Sequence, residues 1–349
     1  MASFGRTAGG PAARSLGSPP AVLVSPPVGA PGLVILVPIF NDWAVADLTL
    51  AELDRALANE PLPARVILVD DGSTQPMPEG FAQREFQALR CVEVLSLRRN
   101  LGHQRAIAIG LAFVHADRPC EIVVVMDGDG EDAPSDVPRL LAKLREEGGT
   151  RIIFAARTRR SENLLFRAGY QAFKIVHLVL IGLQVKVGNF SAIPRRQLER
   201  LVVISEVWNH YAAAVIKARL PHDTIDTTRG RRLAGHSSMN LVSMVVHGLS
   251  AMAVYGEIIG VRLLCTTLVV VGATVLAAVI LGQPVSLAQV PAWAALAAGT
   301  LLVMLAQAVV MAFVFVFIVL GSRAGLSFLP IRDYAYFVGE VRTLSGRDC

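Results

Sequence analysis

Ile122-Val-Val-Val-Met126 runs without a break into Asp127-Gly-Asp129-Gly-Glu131-Asp132, and the reading of this junction decides the fold. Apolar residues in sequence, with no in/out alternation, are what a strand covered on both faces requires. Such strands belong to mostly parallel sheets with helical crossovers. The four carboxylates that follow repel one another unless a cation neutralises them. An acidic cluster that ends a buried strand points to a hard divalent ion, Mg²⁺ or Mn²⁺, held through oxygen with room left for substrate phosphates. The candidate ligands are Asp127, Asp129 and Glu131, whose alternation would turn them to one side of an extended segment.

Two other readings of the same residues fail. In a calcium loop starting at Asp127, the sixth position would be Asp132 where glycine is needed, and the twelfth Pro138 where glutamate is needed. Gly128-x-Gly130-x-x-Ala133 matches a dinucleotide fingerprint, but a bare pyrophosphate would meet carboxylates there instead of free N–H groups. A metal-bridged diphosphate suits the segment.

Outward from this point, similar apolar runs occupy 33–37, 66–69, 92–95 and 152–155. Segments with helical spacing, 44–58, 103–116 and 136–147, lie among them. The pattern predicts an α/β domain with its ligand beyond the carboxyl ends of the strands. Two loops fall at those ends. Val69-Asp70-Asp71-Gly72-Ser73 offers carboxylates and a Gly-Ser turn that can accept hydrogen bonds from a base or ribose. Val37-Pro38-Ile39-Phe40-Asn41-Asp42 follows the first strand, with Pro38 stiffening the loop.

The whole chain is more apolar than a soluble α/β protein. Its 349 residues are 53% hydrophobic, with mean hydropathy +0.50. Residues 263–281 and 292–320 carry no charge and are long enough to span a bilayer core, so two transmembrane helices are expected. Arg262 precedes the pair, and Arg323, Arg332, Arg342 and Arg347 follow it, while the connector 282–291 has no charge. By the positive-inside rule both flanks are cytoplasmic. The stretch 240–262, apolar but broken by His247, Tyr255 and Glu257, reads as an amphipathic interfacial helix. Residues 1–32, rich in Pro and Gly, read as a disordered tail. They are not read as a secretory signal, because the apolar 21–24 stops at Ser25-Pro26-Pro27. The expected organisation is therefore a tail (1–32), a catalytic domain (33–239), an interfacial helix (240–262), a helical hairpin (263–320) and a cytoplasmic C-terminal tail (321–349). A net charge of +5 suits an anionic membrane surface or phosphate-bearing substrates and does not single out nucleic acid. Four scattered cysteines argue against a disulfide framework and against structural zinc.

Order and spacing add a resemblance. V-P-I-F-N-D, V-D-D-G-S, R-N-L-G-H-Q (Arg99 to Gln104) and M-D-G-D-G-E-D-A-P together resemble the family-2 glycosyltransferases of the GT-A fold. Within that family the chain is similar to the polyprenyl-phosphate glycosyltransferases, including dolichyl-phosphate mannose synthase and bacterial versions with two C-terminal membrane helices. The resemblance implies a UDP- or GDP-linked sugar donor and a polyprenyl phosphate acceptor, with inversion at the anomeric carbon at the cytosolic face of a membrane, the inner membrane in a bacterium. It implies that Pro38, Asn41, Asp42, Asp71 and Asp127 line the nucleoside site, and that Asp129 and Glu131 hold the metal near the diphosphate. Phe154-Ala-Ala-Arg157 resembles the family's strand ending in Gly-x-Arg, and Gly188-Asn-Phe-Ser191 with Arg195 its acceptor-side loop. Arg229-Gly-Arg-Arg232-Leu-Ala-Gly235-His-Ser237 resembles a basic motif before the interfacial helix. Arg157, Arg229, Arg232 and Ser237 would then receive the acceptor phosphate.

The chain departs from the pattern at three places: Ser238-Met239 stands for Lys-Tyr, Glu131 for Gln, and Asp42 for a common Glu. A phosphate acceptor needs no general base. A hydroxyl acceptor would, with Asp132 as candidate. His103, His210 and His236 are candidate helpers. The alternatives are a hydroxyl-acceptor glycosyltransferase and an inactive membrane scaffold. No Q-x-x-R-W string occurs, which counts against polymerisation. Homo-oligomerisation is left open.

Overall fold

The computed structural model describes residues 32–157, 182, 187–227, 248–281, 291–324 and 328–346. The five apolar runs form β1 (Leu33–Ile39), β2 (Ala64–Asp70), β3 (Leu89–Leu97), β4 (Ile122–Val125) and β5 (Ile152–Arg157). β1 pairs in parallel with β2 and β4, and β2 with β3. α1 (Trp43–Ala56), α2 (His103–Asp117) and α3 (Val137–Glu146) cover the sheet. Alternate residues of β1 divide between two cores: Leu33, Ile35 and Val37 pack with α1 and α3, Val34 and Leu36 with α2. Burial on both faces is why β1 and β4 are apolar at every position.

Three further strands escape the sequence pattern. β6 (Ser191–Pro194) runs antiparallel between β4 and β5, β7 (His222–Thr227) lies parallel to β5, and β8 (Val338–Ser345) lies antiparallel to β3. The full order is β7-β5-β6-β4-β1-β2-β3-β8, a mostly parallel sheet with antiparallel insertions. Two short helices, α4 (Arg195–Leu201) and α5 (Tyr211–Lys217), follow β6.

Beyond β7 the chain forms α6 (Gly256–Leu281) and α7 (Ala292–Ala324). Both contain a stretch long and apolar enough to cross a membrane, Gly256–Leu276 with mean hydropathy 2.1 and Leu296–Val316 with 2.4. The two pack together where Gly260 faces Val316 and Phe315. Both flanks of the pair are docked on the α/β domain. Upstream, Met252, Val254, Tyr255 and Ile259 bury with Ala213 of α5, and the Tyr255 hydroxyl donates to the Ala213 carbonyl at 3.2 Å. Lys217 bridges Glu206 and Glu257 at 2.8 and 3.1 Å. Downstream, Phe328 stacks on Trp208 with ring centroids 3.8 Å apart, the Ile331 N–H donates to the Val202 carbonyl, and β8 then closes the β3 edge. The segments before α6 and after α7 thus dock on the same domain. Among the described residues, Cys91 on β3 is disulfide-bonded, whereas Cys120 and Cys265 are free thiols.

A charged cluster lies within the sheet. Glu93, 1% exposed, accepts from Arg65 at 3.3 Å and from Arg118 Nη2 at 2.8 Å. Burial pushes the Arg65 guanidinium below its usual range, while its bonds to Glu93 hold Arg118 above. Removing the anion strands a buried cation. Glu93→Leu is therefore expected to destabilise the fold by about 3–5 kcal/mol, read as a lower denaturation midpoint, with much of the loss recovered in Glu93→Leu/Arg65→Met.

Candidate active site

The carboxyl ends of β1, β2 and β4 lie side by side, because Ile39 is in register with Asp70 and Leu36 with Val125. Each loop that leaves them is tied to a neighbour. Asn41, at φ 59°, accepts the N–H groups of Thr74 and Gln75 at its Oδ1 and donates from Nδ2 to the Thr74 hydroxyl. The Trp43 indole donates to the Gln75 carbonyl. Asp70 accepts the Ser73 N–H and so shapes the turn. Asp71, buried, accepts the N–H of Leu101 at 2.7 Å on one oxygen and of Gly102 at 2.8 Å on the other. Burial raises its carboxyl above the ordinary range, against the pull of those two N–H groups and of His103. Asn41 and Asp71, which the resemblance assigns to the nucleoside, brace the loops at the strand ends. Pro38 is buried within β1 and Asp42 is exposed at the start of α1.

The acidic segment is a tight turn, not the extended run that alternation suggested, because β4 stops at Val125. Gly128 permits the turn to lie on β1: a Cβ there would sit 2.8 Å from the Pro38 carbonyl oxygen. Asp132, 3% exposed, folds back to accept the Asp127 N–H at 2.8 Å, and Asp129 accepts the Glu131 N–H at 3.0 Å. Asp132 therefore staples the turn, and Asp129 and Glu131 are left half-buried on it.

Asp127 turns toward α2. Its Oδ1 lies 3.0 Å from His103 Nε2 and accepts from Asn189 Nδ2 at 3.2 Å. Burial opposes the charged imidazole, but the charge and hydrogen bond of Asp127, with Asp129 and Asp132 beyond, raise the His103 pKa above its ordinary value. Sequence reading placed His103 among candidate helpers and Asn189 in an acceptor-side loop, and missed that both meet Asp127. The motif R-N-L-G-H-Q was the available signal.

The acceptor-side candidates divide. Arg157 ends β5 at the same end of the sheet as the acidic turn, with β6 between β5 and β4, roughly 10 Å away by strand spacing. β7 ends level with it at Thr227. Arg229, Arg232, Ser237 and His236 lie outside the described residues. Arg195 is carried to the opposite end by the antiparallel run of β6, where its N–H donates to the Glu121 carbonyl and its side chain pairs with Glu199. His210 is buried and caps α5 by accepting the Ala213 N–H.

Among the described residues, no three His, Cys, Asp or Glu side chains gather closely enough to cage an ion. The turn instead fits a cation that takes one or two protein carboxylates and completes its shell with phosphate oxygens and water, as Mg²⁺ does. Asp129 and Glu131 are the half-buried carboxylates that the turn offers.

A mostly parallel sheet with an acidic turn beyond its strand ends agrees with the glycosyltransferase resemblance of the sequence. The model for "Glycosyl transferase family 2" matches residues 34–212, and the chain belongs to that family. It is 24% identical over 216 residues to the "Uncharacterized glycosyltransferase YkcC" of Bacillus subtilis (strain 168), covering 60% of this chain and 64% of that one. It is 31% identical over 144 residues to the dodecaprenyl-phosphate galacturonate synthase of Rhizobium johnstonii, covering 40% of each. Each match thus spans less than two thirds of the relative's length. Among solved structures, it is similar to glucosyl-3-phosphoglycerate synthase from Mycobacterium tuberculosis in complex with Mn²⁺, UDP-glucose and phosphoglyceric acid. That likeness has a TM-score of 0.48 at 18% identity, over 67% of this chain and 81% of that one.

Proposed function

We propose that this family 2 glycosyltransferase moves one sugar, with inversion, from a UDP- or GDP-linked donor to a polyprenyl phosphate at the cytosolic face of the membrane, the inner membrane in a bacterium. The observation that carries the reading is the placement of the acidic turn on a domain to which both flanks of an apolar helix pair are docked. Relatives that act on polyprenyl phosphates, such as the galacturonate synthase, support the acceptor class.

In this reading Pro38 at the end of β1, Asp42 and the loops braced by Asn41 and Asp71 form the nucleoside wall, and Asp127 faces the donor with His103 beside it. A divalent cation held by Asp129 and Glu131 would stabilise the departing diphosphate as a Lewis acid. Arg157, with Arg229, Arg232 and Ser237, would hold the acceptor phosphate, whose oxygen is already anionic and needs no base. The structure favours this over a hydroxyl acceptor, since Asp132, the base such a reaction would use, is buried and engaged with the Asp127 N–H.

The test is transfer of labelled sugar from a panel of UDP- and GDP-sugars to undecaprenyl phosphate in detergent, with and without EDTA. Metal-dependent label in the lipid phosphate is expected. Label only in hydroxyl lipids, or transfer indifferent to EDTA, rejects the proposal.

A further inference from the structure

The direction in which Asp127 faces is set by a run of hydrogen bonds that starts on another element's backbone. The N–H of Tyr211, the first residue of α5, can only donate, and it donates to Gln104 Oε1 at 2.7 Å. That contact fixes the Gln104 amide, so its Nε2 donates to Asn189 Oδ1 at 3.0 Å. Asn189 is fixed in turn, with Nδ2 presented to Asp127 Oδ1 at 3.2 Å. His103 Nε2 comes to the same oxygen and lies 3.0 Å from Asn189 Nδ2. Gln104 and Asn189 are both 8% exposed, so neither amide can turn over into solvent. The Asn189 backbone is held too, since its carbonyl accepts from the Ser191 hydroxyl, itself 2.7 Å from the Tyr211 hydroxyl.

We propose that Gln104 and Asn189 are positioning residues for sugar transfer, holding the Asp127 carboxylate at one setting by keeping an N–H donor, and not a carbonyl, against it. The inference rests on the reading of the acidic turn as the transfer site. Its origin in α5 is notable chemically, because α5 also seats the segment leading into α6 through Ala213 and Lys217. The helix on which the apolar pair is docked is thus the reference from which the carboxylate is aimed.

Gln104→Glu isolates this role from mere packing. The introduced carboxylate is nearly isosteric with the amide and still accepts the Tyr211 N–H, but it cannot donate to Asn189 Oδ1. The Asn189 amide must then turn over to donate to that carboxylate, which places its own carbonyl oxygen against Asp127. Loss of a charge-assisted hydrogen bond and its replacement by repulsion should lower kcat about 10- to 100-fold. The KM for lipid acceptor should stay within about 3-fold; the buried charge will lower the melting temperature, so kcat is compared at a temperature where both proteins are folded. Asn189→Ala, which brings no new charge into the site, is the second arm and should give a similar kcat loss. Gln104→Glu added to Asn189→Ala should then cost nothing more, since both remove the same contact. A kcat for either single variant within about 2-fold of wild type, or additive losses in the pair, overturns the proposal. So does a fall in melting temperature with kcat unchanged. Absence of transfer by the wild-type protein from every donor is a different failure: it overturns the underlying reading and takes the proposal with it.

Discussion

Asp129→Ala is expected to lower sugar transfer by about 10²- to 10³-fold, or about 3–4 kcal/mol of transition-state stabilisation. The argument is electrostatic. Charge accumulates on the leaving diphosphate as the sugar bond breaks, and the half-buried carboxylates on the turn are where a counter-cation would be held. Asp129 has a second duty, accepting the Glu131 N–H at 3.0 Å, and the alanine loses this as well. That bond accounts for only about 1 kcal/mol. Asp129→Asn separates the two duties, since its side-chain oxygen still accepts the Glu131 N–H while the charge is gone. Steady-state kinetics of both variants with added Mn²⁺ should show losses of similar size. An active Asp129→Asn would mean that the residue serves the turn's shape and not its charge.

Gly128→Ala should be nearly as damaging although every acidic side chain remains. The added Cβ would lie 2.8 Å from the Pro38 carbonyl oxygen, 3.0 Å from Val37 Cγ1 and 3.1 Å from Ile39 Cγ2. β1 cannot retreat, being held between β2 and β4, so the turn must lift from the sheet. A displacement approaching 1 Å at reacting groups costs about 10²-fold in rate. The expected result is a kcat reduced about 10²-fold with a folded, only modestly destabilised protein, measured by initial rates alongside thermal unfolding. A kcat within about 3-fold of wild type would show that the close approach of turn and strand is not what sets the site.

The elements that could be read from sequence are those whose burial imposes a pattern. β1, β2 and β4 are covered on both faces and spell continuous apolar runs, so they announce themselves. β6 is four residues, Ser-Ala-Ile-Pro, too short to show a period. β7 (His-Asp-Thr-Ile-Asp-Thr) and β8 (Val-Gly-Glu-Val-Arg-Thr-Leu-Ser) are edge strands, half open to solvent and polar in composition. The site divides likewise. Carboxylates at strand ends are visible as chemistry, and their order along the chain identifies the family. What each one touches is not visible. The partners of Asp127 stand at 103 and 189, and Asp132 points inward only because the turn closes on itself. Spacing along the chain carries no record of contacts made across a sheet.

The strand that completes the sheet is made last. β8 lies after both apolar helices in chain order, yet it is what covers β3. During synthesis the rest of the sheet stands with a bare β3 edge until both apolar helices have been made. An edge left unpaired invites association with other chains. A version ended before α6 would therefore be an open ribbon, not a miniature of the whole.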